Sequence, residues 1–337
     1  MTKEWKFREA LSTALAQFEE LTGEFFPVNP ELKVENDEGF WALAEIHGDV
    51  FRIRISEGVV TALQGLWTIA LQSDYLESCM PHPIKATADE LTHISLVWLL
   101  LHEMQHYSLG HFAFTGRHYL TETDRAHDFA LVSRAPFKPT VFDQIPAKDH
   151  DKIEPCLELQ ADHDAIELVL DAYSPEEWPS LRHRALAISA IMMLIEKADA
   201  KRGDKPSSHP KAATRIFQLL GHLIDMPFIR SQIAATNPDL GLDPSLTSDD
   251  EIAAFNQEVV LAAFHDAVVL AHIADAPRIV DDLGDVSAFF TDVGNAKLGD
   301  TRGIEKFKTV GAKQWHSLFG TNTLIVDYQT DNPENPV

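Results

Sequence analysis

The residues best suited to chemistry by type and spacing are His102-Glu103-Met104-Gln105-His106. Two histidines four positions apart on a helix lie one turn along its axis and about 40° apart around it, so both imidazoles can reach one ion. Neutral imidazole nitrogens suit Zn²⁺ at roughly 2.0–2.1 Å. Glu103 then projects beside the metal, where its carboxylate can serve as general base toward a water that the metal acidifies. Trp98-Leu99-Leu100-Leu101 leads into the segment, which predicts a buried helix and a dry, rigid site. The five-residue pattern also arises by chance, and paired histidines on a helix are often ordinary surface residues, so the weight falls on context.

A catalytic zinc needs a third protein donor and an open position. His111 follows His106 by five residues, about 140° around a continuing helix, and would reach the metal only through a break at Gly110. In the three-histidine version of the motif the glycine falls three residues after the second His and the third ligand six after. Gly110 and His111 do not match that spacing. Glu158, within Glu158-Leu159-Gln160-Ala161-Asp162-His163-Asp164-Ala165, is the better donor, with Asp164 or Glu154 behind it. Asp162 shares its helix face one turn on, placed to accept the free ring N–H of His102 or His106 and so fix its tautomer. A solvated acidic face is the plain alternative. Ala161, Ala165 and Ile166 argue instead for a partly buried helix, where an unpaired carboxylate is costly.

A third segment, Ser208-His209-Pro210, is followed by Arg215 five residues after the proline. The three segments in this order resemble the gluzincin zinc peptidases, most closely the HtpX and CAAX-prenyl-protease group. His102 to His111, closed by Leu109-Gly110-His111, also resembles the soluble ImmA/IrrE-type peptidases. The resemblance spans about residues 88–216. It implies a zincin-like catalytic domain with a small sheet and an active-site helix, and hydrolysis of peptide bonds. By the same resemblance His102, His106 and Glu158 would hold Zn²⁺, Glu103 would be the general base and Asp162 would support a ligand. His209 would act in catalysis, and Arg215 would lie close to the site. Read without it, Ser208-His209-Pro210 is a helix N-terminus, with Ser208 as cap and proline in the first turn. The membrane-embedded members of that group carry transmembrane helices that have no counterpart in this reading, which argues against a prenylated membrane substrate. Residues 226–337 resemble nothing recognisable.

The elements that must position these residues are mostly helical. Apolar positions at helical spacing (Phe7, Leu11, Leu15, Phe18, Leu21) predict a helix over 5–22 that stops at Gly23. Residues 41–46 and 50–55 flank His47-Gly48-Asp49, and Phe51, Ile53 and Ile55 alternate with Arg52, Arg54 and Ser56, which predicts a hairpin with one face buried. Helices are expected over 58–72, Thr87–Phe112, 152–172, 175–201, 211–224 and 248–274, with a short one near 285–293. Residues 78–87 and 113–150 read as loops, the second a possible lid. The fold class is α+β, mainly helical. The expected division is a metallopeptidase domain over 1–225, a helical accessory region over 226–325 and a flexible tail over 326–337.

Other residues invite weaker readings. Tyr107, Tyr119, His118, His127 and His209 are candidate oxyanion donors. His265 and His272 suggest a second metal site only faintly. Cys156 reads as a small buried residue. Arg52 and Arg54 on the outer hairpin face could accompany strand addition by a substrate or protect an edge.

The 52 acidic residues against 28 basic ones leave a net charge of −24, which repels phosphate backbones and anionic membrane surfaces. Nucleic acid and membrane are therefore not expected as partners; a peptide or protein substrate is. No contiguous apolar run reaches the roughly 18–20 residues of a membrane span, and the N-terminus lacks a signal-peptide pattern. Two cysteines without metal-type spacing fit a reducing, cytoplasmic setting. The competing reading is a regulatory or partner-binding protein on a peptidase scaffold, cleaving one specific target or none.

Overall fold

A computed structural model describes residues 2–47, 50–72, 76, 84–112, 145–201, 209–237, 239, 241, 247–297 and 304–331. The chain is α+β and mainly helical, as its patterning predicts. Helix α1 (Lys3–Thr22) is capped by the Thr2 hydroxyl, which accepts from Trp5 N, and ends at Gly23 in the left-handed conformation, φ 74°. Strands β1 (Glu31–Glu35), β2 (Ala42–His47) and β3 (Val50–Ser56) form one sheet in the order β1-β3-β2. β2 and β3 pair antiparallel, whereas β1 joins β3 in parallel. Phe51, Ile53 and Ile55 face the core. The tight turn expected at Gly48-Asp49 lies outside the described residues.

β1 falls in a stretch for which no element was expected, because Glu31-Leu32-Lys33-Val34-Glu35 offers only two apolar positions. Its glutamates explain the two arginines. Arg52 donates to Glu31 at 2.8 Å and to Glu45 at 3.3 Å, and Arg54 donates to Glu35 at 2.7 Å. β3 is thus the central strand. Arg52 and Arg54 tie it to both neighbours, contrary to an edge role.

Helix α2 (Glu57–Ala70) follows β3 directly, and the backbone at Gly39 packs so closely on its first turn that a Cβ on Gly58 would sit 2.1 Å from Gly39 O. Helix α3 (Ala88–Ser108) begins with a complete capping box, Thr87 Oγ1 accepting from Glu90 N while Glu90 Oε2 accepts from Thr87 N. From Ser95 to His106 it is buried on every side, as a helix at the centre of a layered core must be. Around it pack α1, α2, α4 (Ile153–Leu170) and α5 (Trp178–Lys201), with β2 across one end. Ser95 Oγ donates to Ala187 O, joining α3 to α5 at 3.1 Å.

Beyond α5 the first helix runs longer than its pattern predicts. α6 (Ala212–Thr236) continues past residue 224 with Pro227 inside it. α7 (Asp249–Ile273) carries a π-helical turn at Asn256–Val260. Averaged over its length, α7 is apolar enough to cross a membrane, a property no contiguous run displays because polar residues interrupt it. One of these, Asp266, is buried in a bidentate pair with Arg182 of α5 at 2.7 and 2.9 Å. Then come α8 (Pro277–Leu283), α9 (Val286–Lys297) and α10 (Val310–Asp331). The boundary expected between residues 225 and 226 falls inside α6, and residues of α6 to α10 share one hydrophobic core with α1 to α5. The tail expected from 326 is helical to Asp331. Ile325 and Tyr328 are buried there and Gln329 donates to Leu109 O, so this segment gains packing that its polar composition does not advertise.

Candidate metal centre

Helices α3 and α4 bring His102, His106 and Glu158 together, with one donor atom from each lying within 4.8 Å of the others. His102 Nε2 is 3.3 Å from Glu158 Oε2, and His106 Nε2 is 3.5 Å from Glu158 Oε1. Four donors placed tetrahedrally at roughly 2.0–2.1 Å from one ion stand about 3.3–3.4 Å apart. Both separations are close to that edge, so one ion can lie between the donors. Glu158 is fully buried, and neither of its oxygens accepts a well-formed hydrogen bond, a costly state for a carboxylate without a cation. Zn²⁺ fits this donor set by type, number and spacing. Of the three candidate carboxylates only Glu158 enters the cluster; Asp164 and Glu154 do not.

His102 Nδ1 lies 3.0 Å from Asp162 Oδ1. Asp162 in turn receives Arg215 Nε at 2.7 Å and Nη2 at 2.5 Å, all of it buried. The guanidinium also lies over the Trp98 ring at 5.6 Å, and that ring packs on His102 at 5.4 Å. Arg215 of α6 thus grips the carboxylate that faces the first histidine, rather than joining the three donors itself.

His106 is oriented differently. Gly110 takes φ 67° after the end of α3, and the reversal carries His111 back over the helix. His111 does not join the donors. Its Nδ1 meets His106 Nδ1 at 2.8 Å, on the ring edge away from Glu158. With His106 Nε2 as the ligating atom, Nδ1–H must donate to His111, whose Nε2–H then donates to Gln160 Oε1 at 3.1 Å. Gln160 also accepts from Gln329 and donates to Asn322 at 2.9 Å. A polar chain therefore runs from the second histidine to α10, which sequence reasoning missed.

The charges agree with a cation site. Burial opposes protonation of His102, but Asp162 and Glu158 outweigh it and raise its pKa to about 10. Burial alone would raise Glu158, yet His209, His102 and His106 hold it well below the ordinary carboxylate range. Asp162 is held low against burial by Arg215 and His102. His106 is driven well below its usual value, chiefly by burial. Glu103, 4% exposed, is pushed up to about 7, first by burial. The carboxylates of Glu158 and Asp162 are thus held ionised by the His102 imidazolium and the Arg215 guanidinium beside them.

Glu103 faces a cleft of about 30 Å³ that also touches His102, His209, Asp199, Ala42 and Trp41. That is room for a water or two. His209 Nε2 is 3.6 Å from Glu158 Oε2, and its Nδ1 is 3.0 Å from Asp199 Oδ2 on α5. Asp199 was not singled out from the sequence, since one acid among 52 carries no local signature. His209-Pro210 precede α6, which begins at Ala212 with its N–H donating to Glu196 Oε2, so they do not form its first turn. A wider cleft, about 420 Å³, opens between Lys6, Asp89 and His183 at the far end of α3 and contains none of these donors.

Tyr107 packs on Phe51 and Phe26, in the core. His118, Tyr119, His127 and the expected lid lie wholly or mostly outside the described residues. His265 and His272 are exposed on α7 and join no three-donor cluster among the described residues. Cys156 is a buried thiol 3.5 Å from Leu318 O, and Cys79 lies outside the described residues. No family model, curated protein or solved structure matches this chain.

Proposed function

We propose that the chain is a zinc-dependent peptidase. The observation that carries the reading is the buried triangle of His102 Nε2, His106 Nε2 and Glu158, at tetrahedral spacing, with Glu103 beside it. Zinc bound there supplies Lewis acidity, polarising a carbonyl and acidifying water. Glu103 is the group that takes and returns a proton. His102 is fixed by Asp162 and Arg215, and His106 by His111, so both imidazoles present Nε2 inward. As an imidazolium, His209 donates Nδ1–H to Asp199 and directs Nε2–H toward the cleft, where it can donate to a developing oxyanion. The buried walls exclude bulk water.

The substrate reading rests on β2. It pairs only with β3 among the described residues, and Ala42 at its start lines the same cleft as Glu103. An extended peptide lying along the outer side of β2 would run beside Glu103, whose carboxylate accepts from the Ala44 backbone N–H of that strand. The test is cleavage of an unfolded protein by the zinc-loaded chain and by Glu103→Gln. The expected result is new N-termini with the wild type and a loss of 10²–10⁴-fold in the variant, zinc content unchanged, on the scale of a lost general base. Full activity in Glu103→Gln would sink the mechanism.

A further inference from the structure

A second group of donors lies on the other side of α4. Glu167 follows Glu158 by nine residues, which at about 100° per residue places it on the opposite helix face. His163 precedes it by one turn, and His163 Nε2 stands 3.4 Å from Glu167 Oε1. From α6, His222 brings Nδ1 to 3.9 Å from the same oxygen. The three donor atoms lie within 4.8 Å of one another, and the two imidazole rings are 5.8 Å apart at 78°. We infer that His163, Glu167 and His222 form a second site for a divalent transition-metal ion of the zinc type, clamping α4 to α6.

The chemistry of the group supports this. Two imidazoles and one carboxylate form the same donor set as the first centre, and a pair of donors at i and i+4 reaches one ion from a helix. The 3.4 Å separation matches the edge of a tetrahedral zinc site at about 3.3–3.4 Å. A small side-chain rotation of the half-exposed Glu167 closes the 3.9 Å gap. The His222 side chain is 8% exposed, and burial pushes its pKa down to about 4, so its nitrogen keeps a lone pair at neutral pH. His163 and Glu167 are about half exposed, at 49% and 52%, which leaves an entry path from solvent. The nearby ammonium of Lys297 is held by Asp225. Asp164 adds negative charge beside His163; burial raises its pKa to about 6, and at pH 7 it is mainly ionised. α4 also carries Glu158 and Asp162, and α6 carries Arg215, so an ion here would brace the helices behind the first centre.

The test counts zinc bound by the metal-stripped full chain, titrated with zinc alone. Wild type should take two equivalents and His163→Ala/His222→Ala one. Both substitutions lie outside the first centre, so peptidase activity should persist. His102→Ala/His106→Ala should also retain one equivalent, and zinc should raise the melting temperature of that variant unless His222→Ala is added. Two equivalents in His163→Ala/His222→Ala, or one in wild type that these substitutions leave in place, overturns the second site without touching the first. One equivalent in wild type that is lost in His163→Ala/His222→Ala supports the second site and removes the catalytic one. If His102→Ala/His106→Ala fails to fold, the fall from two equivalents to one in His163→Ala/His222→Ala carries the test alone.

Discussion

Arg215 reaches the donors only through Asp162, and Asp162 only through His102, so substitutions at these positions should separate orientation from ligation. Asp162→Asn keeps the shape but removes the carboxylate that faces His102 Nδ1. Zinc affinity should fall about 10–100-fold, measured by competition with a chromophoric chelator. Arg215→Met removes the cation and leaves Asp162 buried with only His102 facing it, at a cost of about 3–5 kcal/mol. Urea denaturation should record that loss, and a change below about 1 kcal/mol would contradict the burial assigned to the pair. Much of this centre was legible beforehand. His102 and His106 follow from helical spacing, and Glu158 and Asp162 from the same spacing on a second apolar helix. The partner of His106 was not. His111 was set aside as a ligand and lies outside the donor cluster, but its contact with His106 depends on the positive φ of Gly110, which turns a residue expected on the far side of the helix back to its own neighbour. Asp199 was equally hidden, because only the packing of α5 beside His209 distinguishes it.

At the scale of elements, α10 matters for the centre although it supplies no donor. Gln160→Leu cuts the chain from His106 and His111 to Asn322 and Gln329. It should weaken zinc binding about tenfold, as loss of outer support for a ligand commonly does, and an unchanged affinity would show the chain to be incidental. Gly311 marks where α10 meets α6. A Cβ there would sit 2.6 Å from Ala213 O and 2.8 Å from Ala213 C. Gly311→Ala must displace backbone, and should cost about 1–3 kcal/mol by thermal or urea unfolding. α10 escaped the sequence reading for a physical reason. Its buried stripe runs Leu318, Thr321, Ile325, Tyr328, and Thr321 interrupts the apolar pattern while Gly311 and Gly320 lower helix propensity. β1 was missed because a five-residue strand with charged residues at alternate positions declares itself only when Arg52 and Arg54 pair with Glu31 and Glu35. The strongly patterned α1, α3 and α4 were legible to within a few residues of their ends.

For the whole molecule, the mainly helical α+β class followed from periodicity, whereas the division at residue 225 did not survive, since α6 crosses it and α10 packs back on α4 and α6. One shared core ties metal binding to the stability of the entire chain. Burying Glu158 and Asp162 is costly without a cation, so zinc should stabilise the folded state, by about 2.7 kcal/mol at a free concentration 100 times the dissociation constant. Chelation should lower the melting temperature, and zinc should restore it. The most direct test of the account is X-ray absorption on the zinc-loaded chain in the His163→Ala/His222→Ala background, with and without Glu158→Ala. The account predicts one equivalent of zinc bound by two imidazoles and a carboxylate oxygen at roughly 2.0–2.1 Å, and its loss in Glu158→Ala. A chain that binds no zinc, or a Glu158→Ala variant that keeps a full equivalent with the same coordination, would contradict it.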